Sequence, residues 1–142
     1  KLFDYSGHFP VVELDTSFYA IPSPANVEKW CKDTPDTFQF VVKAYQGMTG
    51  HLRDELPFET KNDMFNAFRN CADTFKKHGK LAMVLVQFPP WFDCQGKNVQ
   101  YIRYIKHIKK EFSYEGSSRR IIEFDLYKIL LDITKEKRIF DN

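Results

Sequence analysis

A chain of 142 residues, 43% hydrophobic, 28% charged and 16% aromatic, carries enough apolar material for a sizeable core, and its length suits one domain. Its 21 basic and 19 acidic side chains leave a formal net charge of +2, which excludes the strong electrostatic draw of a dedicated nucleic-acid or anionic-membrane binder. No apolar run is long enough to span a bilayer, and no pattern of basic start, apolar middle and small-residue exit marks a secretory leader.

The chain opens on Lys1 rather than Met, so a natural start upstream is expected. Cys31, Cys71 and Cys94 are odd in number, far apart and free of any CxxC pairing. Reduced core cysteines in a cytoplasmic protein are the expectation.

Val11 to Asp15 reads as a strand. Ser23 caps a helix with Pro24 in its first position, running through Val27, Trp30 and Cys31 until Asp33, Pro35 and Asp36 stop it. Phe38 to Ala44 reads as a second strand, followed by a loop holding Gly47 and Gly50. Thr60 and Asp63 form the start of a capping box. The helix behind them places Met64, Phe68, Cys71, Ala72 and Phe75 on one stripe and ends at Gly79. Leu81 to Gln87 is nearly all apolar, the pattern of a strand buried on both faces, and Pro89-Pro90 breaks it. Asn98 opens a further helix with Tyr101, Ile105, Ile108 and Phe112 on one side and Arg103, Lys106, Lys109 and Lys110 on the other. Arg120 to Phe124 reads as a fourth strand. The tail from Asp125 spaces Leu126, Ile129, Leu130 and Ile133 as a helix would. Strands alternating with helices of this length predict a parallel sheet in an α/β fold.

Side chains alternate along a strand, so Glu13 and Asp15 share a face with Val11, Lys43 with Val41 and Gln39, Gln87 with Leu85 and Met83, and Glu123 with Ile121. Each strand thus carries a polar group at or near its carboxyl end, where parallel α/β folds bind their ligands. If the strands are neighbours, two carboxylates, an amine and an amide converge. A Glu13–Lys43 pair also serves as a purely structural ion pair, because an unpaired buried charge costs several kcal/mol. Both readings stay open here.

The stretch Phe9-Pro10-Val11-Val12-Glu13-Leu14-Asp15-Thr16-Ser17-Phe18-Tyr19, with Pro22-Ser23-Pro24 and Trp30 behind it, is similar to the second-strand motif of the YecE-like family, domain of unknown function 72. Asp15 stands where that family more often has Asn. Phe38 to Ala44 resembles its third-strand motif ending in Val-Lys-Ala, and Thr49-Gly50-His51 its Thr-His pair with an extra Gly. The most specific match is Leu85-Val86-Gln87-Phe88-Pro89-Pro90-Trp91-Phe92, similar to the fourth-strand Gln-Phe-Pro-Pro element. Ile122-Glu123-Phe124 resembles the opening of the fifth.

The resemblance implies a TIM-type barrel and a family without an established reaction. Such a barrel takes about 250 residues. The expectation is therefore a partial (β/α)8 barrel of about four parallel strands over residues 1–124, with a divergent helical tail over 125–142. The family's first strand is absent. After Phe124, where the family has Arg and then a Ser-Trp pair, the chain reads Asp125-Leu126-Tyr127. Ile139 to Asn142 faintly resembles the family's closing strand. A half-barrel exposes apolar inner faces and strand edges, which predicts a marginal monomer or a homodimer through the open edges.

As an enzyme, the protein would act on a small polar or sugar-like substrate. Glu13 or Glu123 would be the general acid/base, Lys43 would stabilise negative charge, and Gln87 would orient the substrate. Asp15, Tyr19, His51 and Trp91 complete the expected substrate-binding set, the aromatic members by stacking on a ring or else by packing the loops. As a binding module or truncated half-barrel, it would need a partner to complete its sheet. No cofactor is expected. A metal held by Glu13, Asp15, Glu123 and His51 is disfavoured by Lys43 among them. His8, His78 and His107 are expected at the surface. The Gly47–Gly50 loop is too short to signal phosphate binding, and no nucleophile elbow, Walker loop or Rossmann pattern occurs. The basic helix face is read as solvated, so a nucleic-acid partner is the weakest expectation.

Overall fold

The computed structural model describes residues 2–52, 54–92, 95–112 and 122–124, with the side chains of 106–112 and 122–124 excepted. A short helix α1 (Leu2–Ser6) leads into β1 (Val11–Leu14), a one-turn helix α2 (Thr16–Tyr19) and α3 (Pro24–Lys32). Then come β2 (Gln39–Lys43), a second one-turn helix α4 (Gln46–Thr49), α5 (Lys61–Lys77), β3 (Leu81–Val86), α6 (Gly96–Phe112) and β4 (Ile122–Phe124). The four strands form one parallel sheet in the order β1-β2-β3-β4. Three of them have four to six residues and β4 has three.

Local chemistry sets the long helices. Ser23 Oγ accepts from Asn26 N at 3.3 Å at the start of α3, with Pro24 in the first position. Thr60 and Asp63 make the reciprocal capping box of α5, Asp63 N donating to Thr60 Oγ1 at 3.1 Å and Thr60 N to Asp63 Oδ2 at 3.0 Å. His78 closes α5, and Gly79 follows at φ 67° in the left-handed region. Helix α6 begins two residues earlier than the position of Asn98 suggests, because the Gln95 carbonyl accepts from both Asn98 N and Val99 N.

The two one-turn helices fall where the sequence suggested strand end and loop. Four residues are too few for a periodic pattern to register.

One face of the sheet is the core. Phe40 and Val42 of β2 and Val84 and Val86 of β3 are buried beneath Val27 and Cys31 of α3, Phe68, Cys71, Ala72 and Phe75 of α5, and Ile105 of α6. Each of the Val, Ile and Phe side chains among them, fully buried, contributes roughly 1.5–3 kcal/mol. The other face carries Val11, Glu13, Gln39, Val41, Lys43, Met83 and Leu85, all exposed or half-buried. The expectation that the apolar third strand is buried on both sides is thus corrected: its core face is packed and its opposite face is half-covered. Cys31 and Cys71 are free thiols inside the core. Burial raises both, Cys71 to about 12, so neither is a ready nucleophile. His78 is half-buried rather than a surface residue, while His8 is exposed.

At the amino end of the sheet, Lys80 is buried at 3% exposure. Its ammonium donates to the Cys31, Thr34 and Pro35 carbonyls at 2.6, 2.7 and 2.9 Å and to Thr34 Oγ1 at 2.9 Å. It bonds the Cys31 carbonyl in the last turn of α3 and the Thr34 and Pro35 carbonyls in the turn that follows. No helix of the described residues is long and apolar enough to cross a membrane. Cys94, the 125–142 tail and the side chains of Lys106, His107, Ile108, Lys109, Lys110 and Phe112 lie outside the described residues.

Candidate functional site

At the carboxyl ends of β1 and β2 the chain turns sharply. β1 stops at Leu14, and Asp15 is helical (φ −63°, ψ −29°) at the start of α2. The strand-face argument therefore holds for Glu13 but not for Asp15, which reaches the same place from the turn. Ser17, fully buried, explains how. Its hydroxyl lies 2.6 Å from the Leu14 carbonyl and 2.7 Å from the Lys43 carbonyl, so one shared proton staples the two strand ends together.

Lys43, the last residue of β2, sits between two carboxylates. Its Nζ is 2.9 Å from Asp15 Oδ1 and 3.6 Å from Glu13 Oε1. The Phe18 ring centroid lies 5.6 Å from the same nitrogen, within cation–π range. The hydrogen bond that Lys43 donates to Asp15, aided by the charges of Asp15 and Glu13 and opposed by burial, holds the Lys43 ammonium above its ordinary value. The lysine side chain is 18% exposed, and Glu13 and Asp15 are 45% and 65% exposed. The cation is thus sheltered while carboxylate oxygens remain open to an incoming molecule.

His51 stands beside this group. Its Nδ1 is 2.8 Å from the buried Thr49 hydroxyl, which also lies 3.2 Å from the Gln46 carbonyl. Its ring meets Phe18 edge-on at 5.1 Å and Trp91 at 6.1 Å. Burial, then the nearby Lys43 charge, lowers the His51 pKa and so favours the neutral ring. Gly50, at φ 77°, ends α4 and lets the chain turn His51 back toward Phe18. Tyr101 of α6 donates to the Met48 carbonyl at 2.7 Å and ties that helix to the α4 turn.

The other expected residues are spread around this centre. Trp91 is 56% exposed against His51. Tyr19 is 69% exposed, edge-on to Phe18 at 5.1 Å, on the rim of a separate cavity of about 460 Å³ with Tyr45 and Phe58. Gln87 is exposed just beyond β3. Glu123 pairs in register with Leu85, and Leu85 with Lys43, which puts all three on one row across the sheet. The Glu123 side chain lies outside the described residues. Phe88 stacks on Phe92 at 4.2 Å and is buried, so that pair packs the loop. Among the described residues no three His, Cys, Asp or Glu side chains gather as a cation site.

Sequence reasoning missed Ser17 and Phe18 as parts of the site, although both lie inside the quoted Thr16-Ser17-Phe18-Tyr19 motif. It also missed the role of Thr49 as the partner of His51. The available signal was a small hydroxyl residue just past a strand end, where free carbonyls need donors.

Residues 1–124 match the family described as "Protein of unknown function DUF72". The chain is 62% identical over 107 residues to the UPF0759 protein YunF of Bacillus subtilis (strain 168), covering 75% of this chain and 38% of that protein. Two crystal structures of a DUF72 family protein from Enterococcus faecalis V583 share the fold. One, at 2.52 Å, has a TM-score of 0.71 at 34% identity over 75% of this chain and 43% of its own. The other, at 3.10 Å, has a TM-score of 0.76 at 28% identity over 96% and 48%. The chain spans less than half the length of these relatives. With its strand-end motifs, parallel sheet and 124 matched residues, the chain belongs to the DUF72 family.

Proposed function

We propose that this chain is part of a (β/α)8-type barrel enzyme that acts on a small polar or sugar-like substrate at the carboxyl ends of its strands. The observation that carries the reading is Lys43, held at 2.9 Å by Asp15 and 3.6 Å from Glu13 where β1 and β2 end. Support for the barrel comes from described strands that are all parallel and in chain order, and from relatives about twice this length. In this reading the Lys43 ammonium stabilises negative charge developing on a substrate oxygen. Asp15 positions it. Glu13, farther from the ammonium at 3.6 Å than Asp15 at 2.9 Å and so less tied to it, moves a proton to or from the substrate. Glu123, on the row of Lys43, is the alternative acid/base, and Gln87, His51, Tyr19 and Trp91 orient the bound molecule.

The test is a thermal-shift screen with small sugars, polyols and sugar acids, using the parent chain, Lys43→Ala and Glu13→Gln. A ligand at 100 times its Kd stabilises by about 2.7 kcal/mol. Hits are expected with the parent and lost with Lys43→Ala. Variants that respond as the parent does would sink the assignment.

A second reading rests on the uncovered sheet face, where Val11 is 40% exposed and Val41, Met83 and Leu85 are half-buried. A second copy of the chain, or another partner, would cover it. A thermal midpoint that rises with protein concentration supports this reading, and a concentration-independent one removes it.

A further inference from the structure

Beside the Lys43 group, between the connections that follow β2 and β3, lies a cavity of about 370 Å³. That is the size of a site for a small ligand. Among the described residues its charged lining is Lys61, from the first turn of α5, and Lys97, from the first turn of α6. None of the described residues that line it is an Asp or Glu. Thr49, Asn98 and Tyr101 add hydroxyl and amide groups, and Trp91 supplies an aromatic wall.

Two lysines from separate helices border one concavity, and no carboxylate among the described lining residues offsets their charge as Asp15 and Glu13 offset that of Lys43. An anion is the occupant that supplies this offset. The positive end of the α6 helix dipole adds to the potential. The cavity also borders the proposed reacting centre. Thr49 touches both the cavity and His51, and Trp91 lines the cavity while its ring meets His51.

We propose that this cavity holds the phosphate group of a small phosphorylated ligand, whose remainder passes Trp91 and His51 toward Lys43. The proposal deepens the strand-end reading by naming the substrate class, a phosphate monoester, and it rests on that reading for the ligand's direction. A dianionic phosphate suits two ammonium groups better than a single carboxylate does. No group-transfer step is implied: the phosphate is a handle, and lysines here act as point charges.

The test uses the chain with Trp30→Phe, which leaves Trp91 as the sole tryptophan of the two in the sequence. Its fluorescence is followed while titrating inorganic phosphate, a pentose phosphate and the unphosphorylated pentose. Saturable responses are expected for the first two, with the pentose phosphate tighter. Lys61→Ala and Lys97→Ala should each weaken phosphate binding about tenfold, the loss of one charge-assisted contact. Lys97→Glu should abolish it, and Lys29→Ala on α3 should leave it unchanged. Circular dichroism confirms that each variant is folded. No saturable response to phosphate, or equal affinity in the Lys61 and Lys97 variants, overturns the proposal, as does a pentose that binds equally with and without its phosphate. Lys43 does not line the cavity, so Lys43→Ala should leave inorganic phosphate affinity intact. Failure of the strand-end reading would therefore leave the phosphate titration standing. Failure of the phosphate proposal would leave the Lys43→Ala result of the sugar screen standing.

Discussion

Replacing Lys80 with Met tests how the amino end of the sheet is held. The lysine is 3% exposed, and its four acceptors are three backbone carbonyls and one hydroxyl, at 2.6 to 2.9 Å. Methionine fills much of the same volume and removes every donor. The Pro35 carbonyl is only partly buried and regains water, and Thr34 Oγ1 keeps its bond to the Trp30 carbonyl at 2.8 Å. The Cys31 and Thr34 carbonyls are left without their ammonium partner in the interior. At about 1–3 kcal/mol for each unsatisfied buried group, the gross loss is about 2–6 kcal/mol. Relief from burying an ammonium offsets part of this, so a net loss of about 2–4 kcal/mol is expected. With a urea slope of about 2 kcal/mol per molar, the unfolding midpoint should fall by about 1–2 M. A Lys80→Met chain whose urea midpoint matches the parent would refute the argument and show that water or backbone relaxation satisfies those carbonyls.

Three further outcomes are expected. The folded pKa of His51 lies below 6.5, so stability from this group is present above that value and lost as pH falls through the folded pKa; an NMR titration should show this midpoint, and Lys43→Met should raise it, an unchanged midpoint counting against the Lys43 contribution. Burial and the neighbouring Tyr104 raise the Tyr101 hydroxyl from 10.0 to about 12, so its contribution to stability should be lost as pH rises across that window. Tyr101→Phe should flatten this alkaline slope in urea melts while costing about 1 kcal/mol at neutral pH through the lost bond to the Met48 carbonyl. At Gly47 an added Cβ would fall 2.7 Å from Leu56 Cδ2 and 2.8 Å from both Met64 Sδ and Tyr45 Cε1; with Met64 and Tyr45 buried, Gly47→Ala should cost about 1–3 kcal/mol in thermal melts, and a neutral result would mean that Leu56 and its neighbours move aside freely.

The order of strands and long helices was legible because each long element repeats its own period several times. Alpha5 shows this best: five apolar positions, a capping box and a closing glycine all agree on one helix. The one-turn helices α2 and α4 were not legible, since a single turn contains no repeat. Alternation along β2 correctly placed Lys43 on the uncovered face. The same rule failed for Asp15, because it assumes that the strand continues, and Ser17 bends the chain one residue earlier. Lys80 was invisible for another reason. Between Gly79 and Leu81 it reads as an ordinary exposed turn lysine, and only the arrival of the α3 end, 49 residues away in sequence, gives its ammonium four acceptors.

Strand order equal to chain order has a consequence for how the protein is assembled during synthesis. Each described strand is laid against the one made just before it, and none of the four has to be inserted between two that already pair. A growing chain can therefore add one strand-and-helix layer at a time, N-terminal layers first, at the pace of translation. A further layer at the β4 side would extend the sheet without disturbing any pairing already made. The fold grows by accretion, and the Lys43 group, built from the first two strands alone, can be in place before the rest of the sheet is synthesised.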